Sequence, residues 1–172
     1  VDDNSEFTSE RQEYDLQGNS ELIVPLTWKG DNGIEVTKNF HFKPDSYIVE
    51  VDYQITNKSN TNQDVQSYTQ LVHDGHSVGS SGFLQMGMQA YEGGAIYSDS
   101  KKFQKIDFDE FDDSRLEITS LGGWTALMQH YFIASWIPKD NEENSFSSRS
   151  NKGNFELTTK NSGLTIAAGE ID

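Results

Sequence analysis

The chain contains no cysteine, only three prolines and few basic residues for its size. The lack of cysteine excludes disulfide bonds and thiolate chemistry. It does not identify the compartment, because a chain of 172 residues can bury a sufficient core without cross-links. Thirteen Lys and Arg residues stand against 28 Asp and Glu residues, giving a formal net charge of −15. This charge repels phosphate backbones and anionic headgroups, so we expect neither nucleic-acid binding nor charge-driven attachment to lipid.

Long apolar segments are also scarce. The least polar stretch, LGGWTALMQHYFIASWIPKD at 121–140, has no charged residue from Gly122 to Pro138. A membrane-spanning helix needs about 20 consecutive apolar residues, and polar side chains interrupt this run too early. We predict an irregular or one-turn helical start at Trp124–Gln129, then a central strand at 131–137 that is covered on both faces. One buried helix across the whole stretch is the alternative.

Alternation of apolar and polar residues is the dominant pattern elsewhere. It predicts strands at 22–28, 34–42 and 49–55, and the Asn32-Gly33 pair between the first two indicates a hairpin turn. Further strands are predicted at 7–16, 63–72, 103–108, 115–120, 154–159 and 164–167. Short strands without amphipathic helices between them are typical of an antiparallel sandwich or barrel. We therefore expect an all-β fold, in one domain over residues 1–172.

One motif suggests an esterase. The sequence GHSVG at 75–79 fits the nucleophile elbow of α/β-hydrolases, with Ser77 as the nucleophile and His130 and Asp112 as candidate partners. The alternation of strands and helices that this fold requires is missing, however, and a Gly/Ser loop is the simpler interpretation. We expect no enzymatic activity.

Two further motifs concern metals. His73 and His76 flank Asp74, but zinc requires three or four ligands and no spacing supplies the others, although His41 and His130 are available. The acidic run DFDEFDDSR at 107–115 lacks the Gly and the Glu that an EF-hand loop has at its sixth and twelfth positions. We interpret it as a strand end that passes into a solvated acidic turn, with weak calcium affinity as the alternative, and we expect no cofactor or metal.

Aromatic residues are dense in the uncharged stretch. Trp124, Tyr131, Phe132 and Trp136 could line a groove for a sugar or a peptide. Aromatic residues at this density are more often part of a core. We therefore predict that these four residues form a structural core motif.

Several motifs, in the right order along nearly the whole chain, resemble the large periplasmic domain of the YidC-type membrane protein insertase of Gram-negative bacteria. They are SELIVP at 20–25, GSSGF at 79–83, GGAIYS at 93–98, the lysine-led segment 102–109, GGW at 122–124, Gln129, YF at 131–132 and WIP at 136–138.

The resemblance implies an antiparallel β-supersandwich like that of galactose mutarotases, in a periplasmic domain of an inner-membrane protein. It also implies that the first strands and the terminal linking helix of the family's domain lie outside this chain. The implied function is non-catalytic: an accessory domain that contacts subunits of the Sec translocon or nascent membrane proteins. A carbohydrate-binding or mutarotase-like domain is the alternative.

The region 72–97 is the candidate docking surface, because its Gly, Ser and Met residues suit an adaptable contact. The residues proposed to make that contact are Phe83, Met86, Met88 and Tyr91. A mobile loop with no partner is the alternative interpretation of this region.

Overall fold

The computed structural model describes residues 5–75, 91–108, 110–113, 115–129 and 131–172. In chain order its elements are β1 (Leu22–Lys29), β2 (Ile34–Phe42), β3 (Val49–Asn57), β4 (Gln63–Val65), β5 (Tyr68–His73), β6 (Gly93–Ser98), β7 (Lys102–Ile106), the single helical turn α1 (Glu110–Asp113), β8 (Glu117–Leu121), β9 (Trp124–Gln129), β10 (Phe132–Trp136), β11 (Glu143–Asn151), β12 (Asn154–Asn161) and β13 (Leu164–Ile166). No helix among these residues is long and apolar enough to cross a membrane.

The chain divides into two compact units. The first comprises Val1–Val65 with Leu164–Asp172, and the second comprises Gln66–Gly163. The strand predicted at 63–72 spans this division and is two strands, β4 in the first unit and β5 in the second. The interpretation of residues 1–172 as one domain stays a prediction.

The first unit is built on an antiparallel sheet in the order β1-β2-β3. Its register aligns Trp28, Val36 and Ile55 across the three strands, so the alternating apolar residues share one face. Strand β13 pairs with β4 in a separate two-stranded sheet. The fully buried Asn57 holds these parts together, because its Nδ2 lies 3.1 Å from the Ile166 carbonyl oxygen on β13.

The second unit is a sandwich of two antiparallel four-stranded sheets, in the orders β10-β9-β6-β7 and β5-β12-β11-β8. Inward-facing side chains from both sheets and from α1 form its core: Ile96, Ile106, Phe111, Leu127, Phe146 and Leu157. Buried hydroxyls also meet between the sheets, since Thr125 Oγ1 on β9 lies 3.2 Å from Thr159 Oγ1 on β12. Burial of apolar area on this scale is the main source of stability in such a sandwich.

The all-β, antiparallel class predicted from the sequence is confirmed, whereas the closer likeness to a mutarotase supersandwich stays a prediction. Two local predictions are wrong. Residues 7–16 form no strand and make only an isolated bridge, between Thr8 and Thr27. Trp124–Gln129 is the interior strand β9, with neither the irregular start nor the single buried helix that the sequence suggested.

Candidate functional site

The hairpin formed by β9 and β10 is the most unusual surface of the second unit. Strand β9 is an interior strand: it pairs with β6 on one side and β10 on the other, and Thr125, Ala126 and Leu127 are buried. Gln129 pairs with Phe132, which leaves two residues for the connecting loop. The second of these, Tyr131, has φ = 76°, the left-handed conformation that two-residue hairpin loops require but that bulky side chains rarely adopt.

Strand β10 lies at the edge of its sheet, and this corrects the interpretation made from the sequence. We expected a central strand covered on both faces. Instead the exposed fractions are 89% for Tyr131, 75% for Phe132, 62% for Ile133 and 63% for Ile137. The core assignment is therefore wrong for Tyr131 and Phe132. The composition of the segment indicates a strand correctly, but it does not reveal whether a second strand covers each side.

The two tryptophans of the predicted core motif are half-buried. Trp124 stacks on Tyr97 of β6, with ring centroids 6.2 Å apart, and lies 6.0 Å from the ring of Phe103 on β7. Trp136 is the last residue of β10. The four residues of the predicted motif therefore do not form one core. Trp124 packs with aromatic rings on β6 and β7, whereas Tyr131, Phe132 and Trp136 lie along the β10 edge.

Tyr91 is the one member of the predicted docking set among the described residues; Phe83, Met86 and Met88 lie outside them. Its hydroxyl donates to the Gly94 carbonyl oxygen at 2.7 Å and accepts from the Ile106 amide at 3.0 Å, so it joins β6 to β7. Burial raises the pKa of Tyr91 to about 12. These contacts are those of a structural residue, and a docking role for Tyr91 stays a prediction.

The catalytic and metal motifs assemble no site among the described residues. The ring of His73 stacks on Phe108 at 4.8 Å, and its Nδ1 accepts a hydrogen bond from the Gly75 amide at 2.9 Å. His76, Ser77 and His130 lie outside the part of the chain that the structure describes. Within that part, no three His, Cys, Asp or Glu side chains are grouped in a way that could hold a metal ion.

Sequence reasoning missed an ionic cluster on the β1-β2-β3 sheet. His41 Nε2 lies 2.5 Å from Asp52 Oδ2, and its Nδ1 lies 3.4 Å from Glu21 Oε1. Asn39 donates to the other oxygen of Asp52 at 2.9 Å. The hydrogen bond to Asp52, helped by the charges of both carboxylates, raises the pKa of His41. Only the strand register could have revealed this cluster, because the three groups are far apart in sequence.

A lysine among aromatic rings was also missed. The Nζ of Lys38 lies 5.3, 5.8 and 5.4 Å from the ring centroids of Phe7, Phe40 and Tyr53, within cation–π range. Burial lowers the pKa of Lys38. The alternation on β2 could have indicated this position, since Lys38 interrupts an otherwise apolar face of the strand.

Two glycine motifs are explained by packing. A Cβ on Gly123 would lie 2.4 Å from the Tyr97 carbonyl oxygen, and the residue has φ = 94°. A Cβ on Gly94 would lie 2.8 Å from Cζ of the core residue Phe111. The glycines of GGW and GGAIYS therefore allow elements of the sandwich to pack close together.

The fold and these surfaces define an antiparallel β-sandwich domain with an exposed apolar edge strand. Comparison with known proteins then identifies the family. The chain belongs to the family of the YidC periplasmic domain, whose model matches residues 1–172. It is thus a periplasmic domain of a YidC-type inner-membrane protein.

Curated relatives bearing the name membrane protein insertase YidC support this assignment. The relative from Ruthia magnifica is 41% identical over 165 residues, which cover 96% of this chain and 29% of that protein. The one from Methylobacillus flagellatus is 44% identical over 135 residues, covering 78% of this chain and 24% of the relative. The one from Saccharophagus degradans is 36% identical over 168 residues, covering 97% and 29%. The chain thus spans less than a third of the length of these relatives.

Proposed function

We propose that this chain is an accessory, non-catalytic interaction domain of a membrane protein insertase. It would contact accessory subunits of the Sec translocon and emerging segments of nascent membrane proteins. The observation that carries this proposal is the exposed apolar edge formed by Phe132, Ile133 and Ile137. Exposed apolar patches on a stable domain commonly mark sites of protein contact.

The charge distribution supports the same function. The chain carries a net charge of −15, yet the segment from Gly122 to Pro138 has no charged residue. A partner that contacts this edge therefore loses no ion pair and meets no charge that must be desolvated. The name insertase belongs to the relatives as complete proteins. Insertion is therefore proposed for a whole protein that contains this chain, and not for the chain alone.

Site-specific cross-linking in the full-length insertase tests the proposal. A photoreactive phenylalanine analogue is placed at Phe132 and, as the control, at Tyr47, which is more exposed, 106% against 75%, but lies in the first unit. We expect cross-links from position 132 to translocon subunits or to nascent chains during insertion, and none from position 47. Equal or absent cross-linking at the two positions would contradict the proposal.

The sequence-predicted surface needs its own test. A pull-down of translocon subunits by the insertase with both Met86 and Met88 changed to Asp, beside the unmodified protein, addresses it directly. Loss of binding would support that surface. Unchanged binding would remove it and leave the β10 edge as the candidate.

A carbohydrate-binding function is the second candidate. The observation that favours it is the aromatic group of Trp124, Tyr97 and Phe103, because Phe103 is 50% exposed and aromatic faces suit sugar rings. Titration with monosaccharides, followed by tryptophan fluorescence, tests it. Saturable quenching that is lost in Phe103→Ala would favour this function, whereas no response leaves the interaction domain as the better proposal.

A further inference from the structure

We propose that the free edge of β10 binds an extended, apolar segment of a substrate membrane protein as an added β-strand. This inference rests on the proposed function, since it names the class of segment and the way in which it is held. The relevant observations are the main-chain groups of β10, the side chains on its two faces and the charge around it.

The first observation is the direction of the main chain. Residues that flank a two-residue hairpin loop form a hydrogen-bonded pair, and such pairs alternate with non-bonded pairs along the ladder. Gln129 and Phe132 are the flanking pair, so the N–H and C=O groups of Ile133 and Ser135 point away from β9. No strand among the described residues pairs with that side of β10. These groups can therefore bond to an incoming strand.

The second observation is the lack of protection at this edge. Edge strands are commonly guarded by lysines or other charges that discourage a further strand. The opposite edge of the same sheet, β7, carries Lys102 and Lys105, whereas β10 has the sequence FIASW with no charge and no proline. The contrast within one sheet indicates that the β10 edge, as the described residues leave it, is suited to strand addition.

The third observation concerns the two faces. Alternation places Phe132 on one face of the edge and Ile133 on the other, and both are more than half exposed. A strand added here would meet apolar side chains on both faces. A segment that is apolar all round, as a transmembrane sequence is before it becomes helical, fits this requirement better than an alternating strand.

Charge decides between the available occupants. A second copy of this chain would bring a further net charge of −15 against the first, and an acidic segment would be repelled in the same way. An uncharged apolar segment, or one with basic flanks, meets no such repulsion. The occupant is therefore a substrate segment of this kind.

Peptide binding to the full-length insertase tests the proposal. The probe is a fluorescent peptide of alternating valine and leucine between terminal lysines, measured by anisotropy. Two further peptides carry N-methyl groups, one on alternate amides, which leaves one edge of the strand free, and one on every amide, which leaves none. We expect the fully methylated peptide to bind about tenfold more weakly, because its hydrogen bonds to β10 are lost, and the half-methylated peptide to bind almost normally through its free edge. Equal binding of these two peptides would overturn strand addition.

A matched pair of variants locates the site. Ile133→Lys adds to β10 the kind of charge that β7 carries, and Ile48→Lys makes the same change at a loop residue of similar exposure, 66% against 62%. We expect the first to lose peptide binding about tenfold and the second to retain it. Equal binding by the two variants would overturn the assignment to β10. Dimerisation that Ile133→Lys abolishes would do so as well, because a second copy would then occupy the edge.

The proposed function can fail separately. If removal of the whole domain leaves translocon and nascent-chain contacts unchanged, the accessory role fails. If those contacts depend on the domain but not on Ile133 or on the peptide's amides, only the strand-addition inference fails.

Discussion

At the scale of single residues, protonation of His41 determines how strongly an ion-pair cluster is held together. Its ring lies between Asp52 on β3 and Glu21 immediately before β1, with Glu50 and Lys43 as the other charged groups nearby. The protonated ring can donate to both carboxylates at once, whereas the neutral ring has only one N–H. The cluster therefore connects the start of β1 to β3 most strongly when His41 is charged.

We expect the stability of the β1-β2-β3 sheet to fall as the pH rises. The pKa of His41 is raised in the folded chain, so its stabilising contribution is complete below the unfolded value of about 6.5 and is lost as the pH passes the folded value. Hydrogen exchange of the strand amides between mildly acidic and mildly alkaline pH measures this. In His41→Gln the pH dependence should disappear.

The variant Asp52→Asn tests whether protonation of His41 causes this pH dependence. It removes the carboxylate nearest to His41 while it keeps a side chain that can bond to Asn39. We expect it to reduce the pH dependence as well. If both variants lower stability equally at every pH, packing rather than protonation explains the role of His41.

Gly123 gives a second prediction at this scale. Gly123→Ala combines a positive φ with a Cβ 2.4 Å from the Tyr97 carbonyl oxygen, whereas Gly153→Ala has φ = 85° with no atom within 4 Å. The control should lose about 1–2 kcal/mol from the left-handed conformation alone, and Gly123→Ala should lose more. Thermal unfolding of the two variants measures the difference, and equal losses would show that the close approach is unimportant.

At the scale of elements, alternation predicts β1, β2 and β3 well, because large apolar residues occupy every second position. Strand β11 was not predicted. Its inward positions include Asn144, Phe146 and Ser148, so a single large apolar residue marks the buried face. Ser148 is satisfied there by the Leu116 amide, which donates to its Oγ at 3.0 Å. Such tertiary partners are invisible to a pattern of hydrophobicity.

The same limit applies to the candidate site. The uncharged run correctly indicated a special segment, and its aromatic and β-branched residues indicated a strand. Whether that strand is central depends on its neighbours: β9 lies between β6 and β10, whereas β10 has a partner on one side only. Burial of Leu127 and exposure of Ile133 follow from this order, which residues far away in sequence determine.

The sheet β5-β12-β11-β8 carries a buried carboxylate that leads to a prediction. Glu156 on β12 accepts from Arg149 on β11, from Gln70 on β5 at 3.0 Å and from Asn151 at 3.1 Å. Arg149→Met leaves this carboxylate short of donors and should lower the free energy of unfolding by about 1–3 kcal/mol. Urea denaturation of this variant beside the unmodified protein measures the change in the free energy of unfolding.

The double variant Arg149→Met with Glu156→Met provides the control. Because an apolar pair leaves no buried charge without partners, it should be less destabilised than the sum of the two single changes. Additive losses would mean that the ion pair contributes nothing beyond its separate side chains.

At the scale of the whole molecule, the bulk composition and the short motifs are the most informative features of the sequence. The family followed from short sequences such as GGW, which packing at Gly123 explains. Exposure of the β10 edge could not be derived in this way, because these motifs reflect packing within the sheets and do not show which side of a strand is without a partner. Charge, in contrast, is fully available from composition and constrains the partners that the chain can meet.

The net charge of −15 leads to the last prediction. This chain should not bind vesicles that contain anionic lipid, at low or at moderate salt, because like charges repel and the lysines of KKFQK at 101–105 are followed closely by the acidic run at 107–113. Co-sedimentation with vesicles measures this, and vesicles that contain a cationic lipid serve as the control. Binding to the control should weaken as salt rises, since the Debye length falls to about 10 Å at 0.1 M. Salt-sensitive binding to the anionic vesicles would contradict the prediction and reveal a basic surface that the composition conceals.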